Sequence, residues 1–167
     1  YGLVGSEMCI RDRGQILTFT YPLVGNYGVP PYDKEKGVLK YFESDDIKVT
    51  GYVVHELCTQ PYHWASKRTL DQWLKDENIP GIYGVDTRKL TKKLRVHGVM
   101  LGVLKVCEPD EEPDLPKLLK EAENVQDPNF TDLAKQVTTK EPVVYNSGGN
   151  KTAVLLDCGV KYGIIRN

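Results

Sequence analysis

Apolar and polar residues change places along this chain with two periods, and the changes mark its elements. From Gln15 to Tyr21 the chain reads Q-I-L-T-F-T-Y, β-branched and aromatic residues closed by Pro22, which predicts a strand. Val49 to Leu57 predicts a second strand, and the residues between, above all Gly37 to Ser44, a short helix. Leu70, Trp73 and Leu74 fall at i, i+3 and i+4, so a helix is expected over Lys67–Glu77 with Ser66 as its cap. Asp71 and Lys75 form an i, i+4 pair on its outer side, and Asn78 to Pro80 end it.

Ile82 to Val85 reads as a short strand. Asp86 then opens a helix to His97 with Leu90 and Leu94 inward, and Gly98 closes it. Val99 to Val106 reads as another strand, Cys107 to Pro116 as an acidic loop, and Leu115–Ala122 and Asp132–Gln136 as short helices. Glu141 to Lys151 has linker composition. The continuous apolar run Thr152–Leu156 suits a parallel strand buried on both faces, and helical sequence resumes from Tyr162. The expected class is therefore α/β.

Composition narrows the range of functions. The 167 residues include 22 Lys+Arg and 23 Asp+Glu, a net charge of −1, and 40% are hydrophobic. That argues for a folded core and against the simplest electrostatic case for nucleic acid or anionic membrane. The uncharged run Gly14–Tyr32 is broken by Pro22, Gly25, Asn26, Gly28, Pro30 and Pro31, so it does not read as a membrane span. Cys9, Cys58, Cys107 and Cys158 lie far apart, a usage that favours reduced thiols inside a cell. The first thirteen residues, YGLVGSEMCIRDR, join poorly to the sequence from Gly14 onward and resemble a read-through segment, so 1–13 is expected to be foreign to the fold. With a start at Tyr1 and an end at Asn167 in mid-pattern, the chain reads as a fragment.

Taken alone, the residues offer no complete catalytic set. Cys158 sits at a strand-to-helix turn, yet Leu156 and Val160 stand where a nucleophile elbow has glycines, which favours a buried structural cysteine. His55, Cys58 and His63 lack the fourth ligand of a structural zinc site, so no metal is expected. Gly25-Asn26-Tyr27-Gly28 lacks phosphate-loop spacing and reads as a tight turn. Arg88, Lys89, Lys92, Lys93 and Arg95 form either a solvated helix face or a docking face for an acidic partner.

Four segments together resemble one family, the glutamine-dependent carbamoyl-phosphate synthetases. They are GQILTFTYPLVGNYGVPP (14–31), IPGIYGVDTRKLTKKLRVHG (79–98), DLAKQVTT (132–139) and LDCGVKYGIIR (156–166). The match is to the N-terminal domain of the small, glutaminase subunit. The first segment is most similar to the fused eukaryotic polypeptide of pyrimidine synthesis. Tyr62-His63-Trp64 and the stretch Ile82–Arg88 are also similar to the mitochondrial urea-cycle type.

The resemblance implies a β/β/α domain over 14–141 lacking its first strands, a linker at 142–151, and at 152–167 the opening β-α step of a class I amidotransferase domain, cut short. In that family a Cys-His-Glu triad hydrolyses glutamine, the thiolate attacking the amide carbon while backbone amides hold the oxyanion. The triad would lie beyond Asn167. One glutamine-contacting Ser of the family falls at Arg11 here. The parent would use ATP and Mg with glutamine and bicarbonate, and this part would carry no cofactor.

The implied partners are the large synthetase domain and the rest of the amidotransferase domain, with no nucleic acid or membrane. The implied setting is cytoplasmic, or mitochondrial for the urea-cycle type. Interface candidates are Asn26, Tyr27, Arg88, Lys92 and Arg95. The rival reading is a stand-alone interaction domain that docks through the 86–97 helix and the Asn26 turn. The missing strands would leave open sheet edges and a marginally stable chain.

Overall fold

A computed structural model of the chain describes residues 12–145 and 148–167. Arg11 and most of segment 1–13 lie outside the described residues, as do Asn146 and Ser147 of the linker. Seven short strands form, β1 (Ile16–Thr18), β2 (Leu23–Val24), β3 (Lys34–Glu35), β4 (Val38–Leu39), β5 (Gly51–Val53), β6 (Glu56–Leu57) and β7 (Gly81–Ile82). Among the described residues five α-helices accompany them, α1 (Leu70–Asp76), α2 (Thr87–His97), α3 (Leu115–Glu123), α4 (Leu133–Val137) and α5 (Tyr162–Arg166), with one 3-10 turn at Pro128–Phe130. The class is α/β, as the sequence predicts.

The main sheet has the order β1-β5-β7, with both neighbouring pairs parallel. Ile16 faces Gly51, and Tyr52 faces Gly81. Pro22 breaks the ladder between β1 and β2, since it has no N–H to give. Pairing then resumes in parallel as β2 against β6, where the Cys58 amide donates to the Val24 carbonyl at 2.8 Å. The strand predicted over Val49–Leu57 is thus two short ones, β5 and β6, while β1 lies inside the predicted Gln15–Tyr21 and β2 lies beyond it.

α1 covers one face of this sheet. Leu70, Trp73 and Leu74 are all buried on its inner stripe and join Tyr52, Val54, Ile47 and Phe42 in the core. Phe42 meets Trp73 edge-on at 5.5 Å between centroids, and Phe19 stacks on Tyr52 at 5.4 Å, the offset and T-shaped geometries that aromatic quadrupoles prefer. The exposed Asp71–Lys75 pair forms as expected, at 2.7 Å.

Five expectations are corrected. The cap of α1 is Thr69, not Ser66, because Gln72 three residues on completes a reciprocal capping box with Thr69. Residues 34–39 form an antiparallel hairpin rather than a helix. Lys36 and Gly37 both take positive φ (52° and 86°), which suits a two-residue turn and not a helix.

Val99–Val106 and Thr152–Leu156 pair in no ladder among the described residues. The first keeps one link to the sheet, since Leu104 lies against Gly51, where a Cβ would come within 3.0 Å of it. The second is wholly exposed, Val154 to 96%. On α2, Leu90 and Leu94 are only half-buried, and Thr87 alone is fully inside.

Candidate docking surface

The turn at Gly25–Gly28 is built by backbone. The Gly28 amide donates to the Gly25 carbonyl at 2.9 Å, and both glycines take positive φ (92° and 64°). The next amide, Val29, donates to the Arg68 carbonyl. The loop therefore does not present a row of free amides to a phosphate, and the tight-turn reading holds. Asn26 is half-buried, its carbonyl accepting from the Tyr62 amide at 3.2 Å. Tyr27 is half-exposed and packs against His63, centroids 5.4 Å apart, while His63 packs against Trp64 at 5.3 Å.

Tyr62 and Trp64 are 87% and 84% exposed. They are nonetheless held, because the Ala65 amide donates to His63 Nδ1 and the Ser66 amide to the His63 carbonyl. In the fold only His63 is packed, and the two larger rings face solvent.

α2 presents the basic surface. Asp86 caps it, accepting from the Lys89 amide at 2.9 Å, and Gly98 ends it with φ +80°. Arg88, Lys92 and Arg95 succeed one another at i, i+4 and i+7, so they share a face. Lys89 and Lys93 flank them. All five are exposed, and among the described residues none is in an ion pair. The helix itself carries no acidic residue, so its neighbours at i, i+4 repel. Tyr27 contacts His63 rather than any residue of α2, so the candidate residues fall into two separate patches.

The sulfur and imidazole groups do not converge. Cys58 Sγ donates to the Gln60 carbonyl, His55 Nδ1 lies 3.0 Å from the Val85 carbonyl, and His63 Nδ1 is taken by Ala65. Among the described residues no group of three or more His, Cys, Asp or Glu side chains is placed to hold a metal ion. Cys58, Cys107 and Cys158 carry free thiols, and Cys9 lies outside the described residues. Cys158 is exposed, which corrects the expectation that it is buried. Its turn is organised not around the thiol but around Asp157.

Asp157 Oδ1 accepts from the Gly159 and Val160 amides at 2.7 and 2.8 Å, and Oδ2 from the Thr139 amide at 2.8 Å. Burial works to raise its pKa, but the backbone amides of Val160, Thr139 and Gly159 outweigh it and hold the carboxyl below the usual Asp value. No sequence motif announces the tie to Thr139, eighteen residues away.

Cavities open at two places that bear on function. One, of about 430 Å³, lies between Val103–Val106 and α3, with Lys105, Lys117, Asp114 and Glu121 at its rim. The other, of about 260 Å³, is an apolar cleft over Tyr52, Leu57, Leu70, Leu74, Ile82 and Tyr83. Neither gathers a nucleophile with a base. Among the described residues no helix is long and apolar enough to cross a membrane.

The sequence profile of the carbamoyl-phosphate synthase small chain, CPSase domain, matches residues 11–104, more than half of the chain. The chain belongs to this family. It is similar to the multifunctional protein CAD of Squalus acanthias, 44% identical over 99% of this chain and 7% of that protein. It is similar also to the carbamoyl phosphate synthase small chains of Archaeoglobus fulgidus, 44% identical over 92% of this chain and 40% of the relative, and Pyrococcus furiosus, 46% over 98% and 44%. The chain spans less than half the length of these relatives. The profile takes in residues 11–13, and Asp12 is buried, its carbonyl accepting from Gln15.

Proposed function

We propose that this chain is the amino-terminal, non-catalytic part of the glutamine-hydrolysing unit of a carbamoyl-phosphate synthetase that serves pyrimidine synthesis. What supports the reading is that its likeness extends over 92–99% of the chain to relatives of two kinds, free-standing small chains and a fused multifunctional protein. In this reading 14–141 is the small-chain N-terminal domain, 142–151 the linker, and 152–167 the first strand and helix of the amidotransferase domain. The Cys-His-Glu triad lies beyond Asn167. The unit supplies ammonia in the cytoplasm to a synthetase domain that uses ATP, Mg and bicarbonate.

The part played by this chain's own residues is support and docking. α2 offers Arg88, Lys92 and Arg95 as one cationic face, and the 25–28 turn offers Asn26 and Tyr27 as a second contact. An exposed, unpaired row of cations costs the free helix some repulsion that an acidic partner surface would relieve.

The test is direct. Purified chain incubated with glutamine is expected to release no glutamate. Release that disappears in Cys158→Ser would overturn the reading.

A further inference from the structure

The chain leaves the β3–β4 hairpin region early and comes back to it at the end. Tyr145 packs over Gly37 at the hairpin turn, where a Cβ would lie 3.4 Å from its ring. α5 then returns to the same hairpin, and Glu43 meets it with three acceptors. The Glu43 carbonyl accepts from the Tyr162 amide at 3.0 Å. Its Oε2 accepts from the Gly163 amide and its Oε1 from Arg166 Nη2, each at 2.8 Å.

Arg166 Nη1 reaches the carbonyls of Leu39 and Phe42, the latter at 2.8 Å, and Lys36 donates to the Arg166 carbonyl. The ion pair is largely shielded, with 17% and 18% of the Arg166 and Glu43 side chains exposed. Gly163 is part of the fit, because a Cβ there would stand 2.9 Å from Glu43 Oε2.

α5 is also held by packing, with Ile165 half-buried. Five residues are too few for a helix stable by itself. Ile164 is exposed, and of this helix Tyr162 packs against the core. Docking joins this packing to charge-assisted hydrogen bonds, strong in this shielded setting. Between the two landing points the apolar run Val154–Leu156 stands exposed, fixed at its end by Asp157.

We infer that Glu43 and Arg166 form a latch and that the 34–43 hairpin is the seat on which the next structural unit of the protein is oriented. Latched, segment 152–167 rides rigidly on the hairpin; released, it moves as a piece while the core stays folded. The identity of that next unit rests on the amidotransferase reading above, but the latch does not.

Hydrogen exchange read by mass spectrometry on this chain tests it. Glu43→Gln, Arg166→Lys and Gly163→Ala are each expected to speed exchange of peptides covering 159–167 at least tenfold, with β5 and α1 unchanged. Arg166→Lys keeps the charge but loses the fork that reaches three acceptors. Gly163→Ala leaves every charge in place. Exchange at 159–167 equal to that of the parent chain in all three variants overturns the latch. Equal acceleration throughout β5 and α1 overturns it too, since the residues would then serve the whole fold. Glutamine hydrolysis by the chain extended beyond Asn167 judges the amidotransferase reading separately, and its failure leaves the exchange result standing.

Discussion

Ser66 occupies the space that a side chain at position 28 would need: a Cβ on Gly28 would lie 2.0 Å from Ser66 Oγ and 2.9 Å from Pro61 Cβ. Gly28 also has φ +64°. Gly28→Ala is therefore expected to cost about 2 kcal/mol or more, the left-handed backbone supplying ~1–2 kcal/mol and the clash the rest. Gly84→Ala, with φ +81° and open space around it, should show the backbone cost alone. Urea unfolding of the two variants side by side checks the difference, and equal losses would refute the close contact.

The capping box makes a second prediction. Thr69→Ala removes the acceptor for the Gln72 amide, and is expected to cost about 1 kcal/mol. Ser66→Ala should cost less, because Ser66 caps nothing and makes only a 3.4 Å contact to the Arg68 carbonyl. Thermal melts followed by circular dichroism would distinguish the two, and the reverse order would restore Ser66 as the cap.

The two candidate caps show how far the sequence can be read. The stripe Leu70, Trp73, Leu74 is legible because 3.6-residue periodicity is a local property. The cap is less so: Ser66 and Thr69 are both good candidates, and only Gln72 separates them. The hairpin at 34–39 escapes sequence reading because its turn residues are Lys36 and Gly37, and a lysine at positive φ leaves no compositional mark.

Val99–Val106 and Thr152–Leu156 carry strand composition, but a ladder needs a partner strand brought alongside in register, and composition does not name that partner. In the candidate surface, the helix placement of Arg88, Lys92 and Arg95 can be read directly from spacing. The exposure of Trp64 and Cys158, the Asp157–Thr139 tie and the Glu43–Arg166 contact depend on residues distant in sequence, so no window of neighbours reveals them.

Core packing gives a third prediction. Leu70 is wholly buried between α1 and the sheet. Leu70→Ala is expected to destabilise the chain by about 3 kcal/mol through lost burial and the cavity left behind. A shift in the urea midpoint of under half a kcal/mol equivalent would mean that α1 is not seated as described.

Acid should loosen the Asp157 turn. The folded carboxyl is held below its ordinary value, so the tie's contribution is fully present above the unfolded pKa of about 3.9 and is lost as pH falls through the lower folded value. The amides of Thr139, Gly159 and Val160 are expected to lose exchange protection below that pH, after correction for intrinsic rates. In Asp157→Asn that dependence should vanish. A pH dependence that survives unchanged in Asp157→Asn would argue against the bonds.

The basic face of α2 should matter to association and not to folding. Arg88→Glu, Lys92→Glu and Arg95→Glu are each expected to change stability by no more than about 0.5 kcal/mol, as exposed positions do. Combined, they should weaken binding to a separately purified synthetase large chain at least tenfold, with a shallower salt dependence. Unchanged binding by calorimetry would make this an ordinary solvated face.

The all-parallel order of β1, β5 and β7 has a bearing on how quickly the molecule can form. Ile16 must find Gly51, and Tyr52 must find Gly81, so each rung of that sheet closes a long loop before it gains anything. The 34–39 hairpin is the local exception and can zip within microseconds. During synthesis, β1 must wait for β5 and the sheet for Ile82 to emerge, leaving Leu17 and Phe19 as the stretch most in need of a chaperone in the interval.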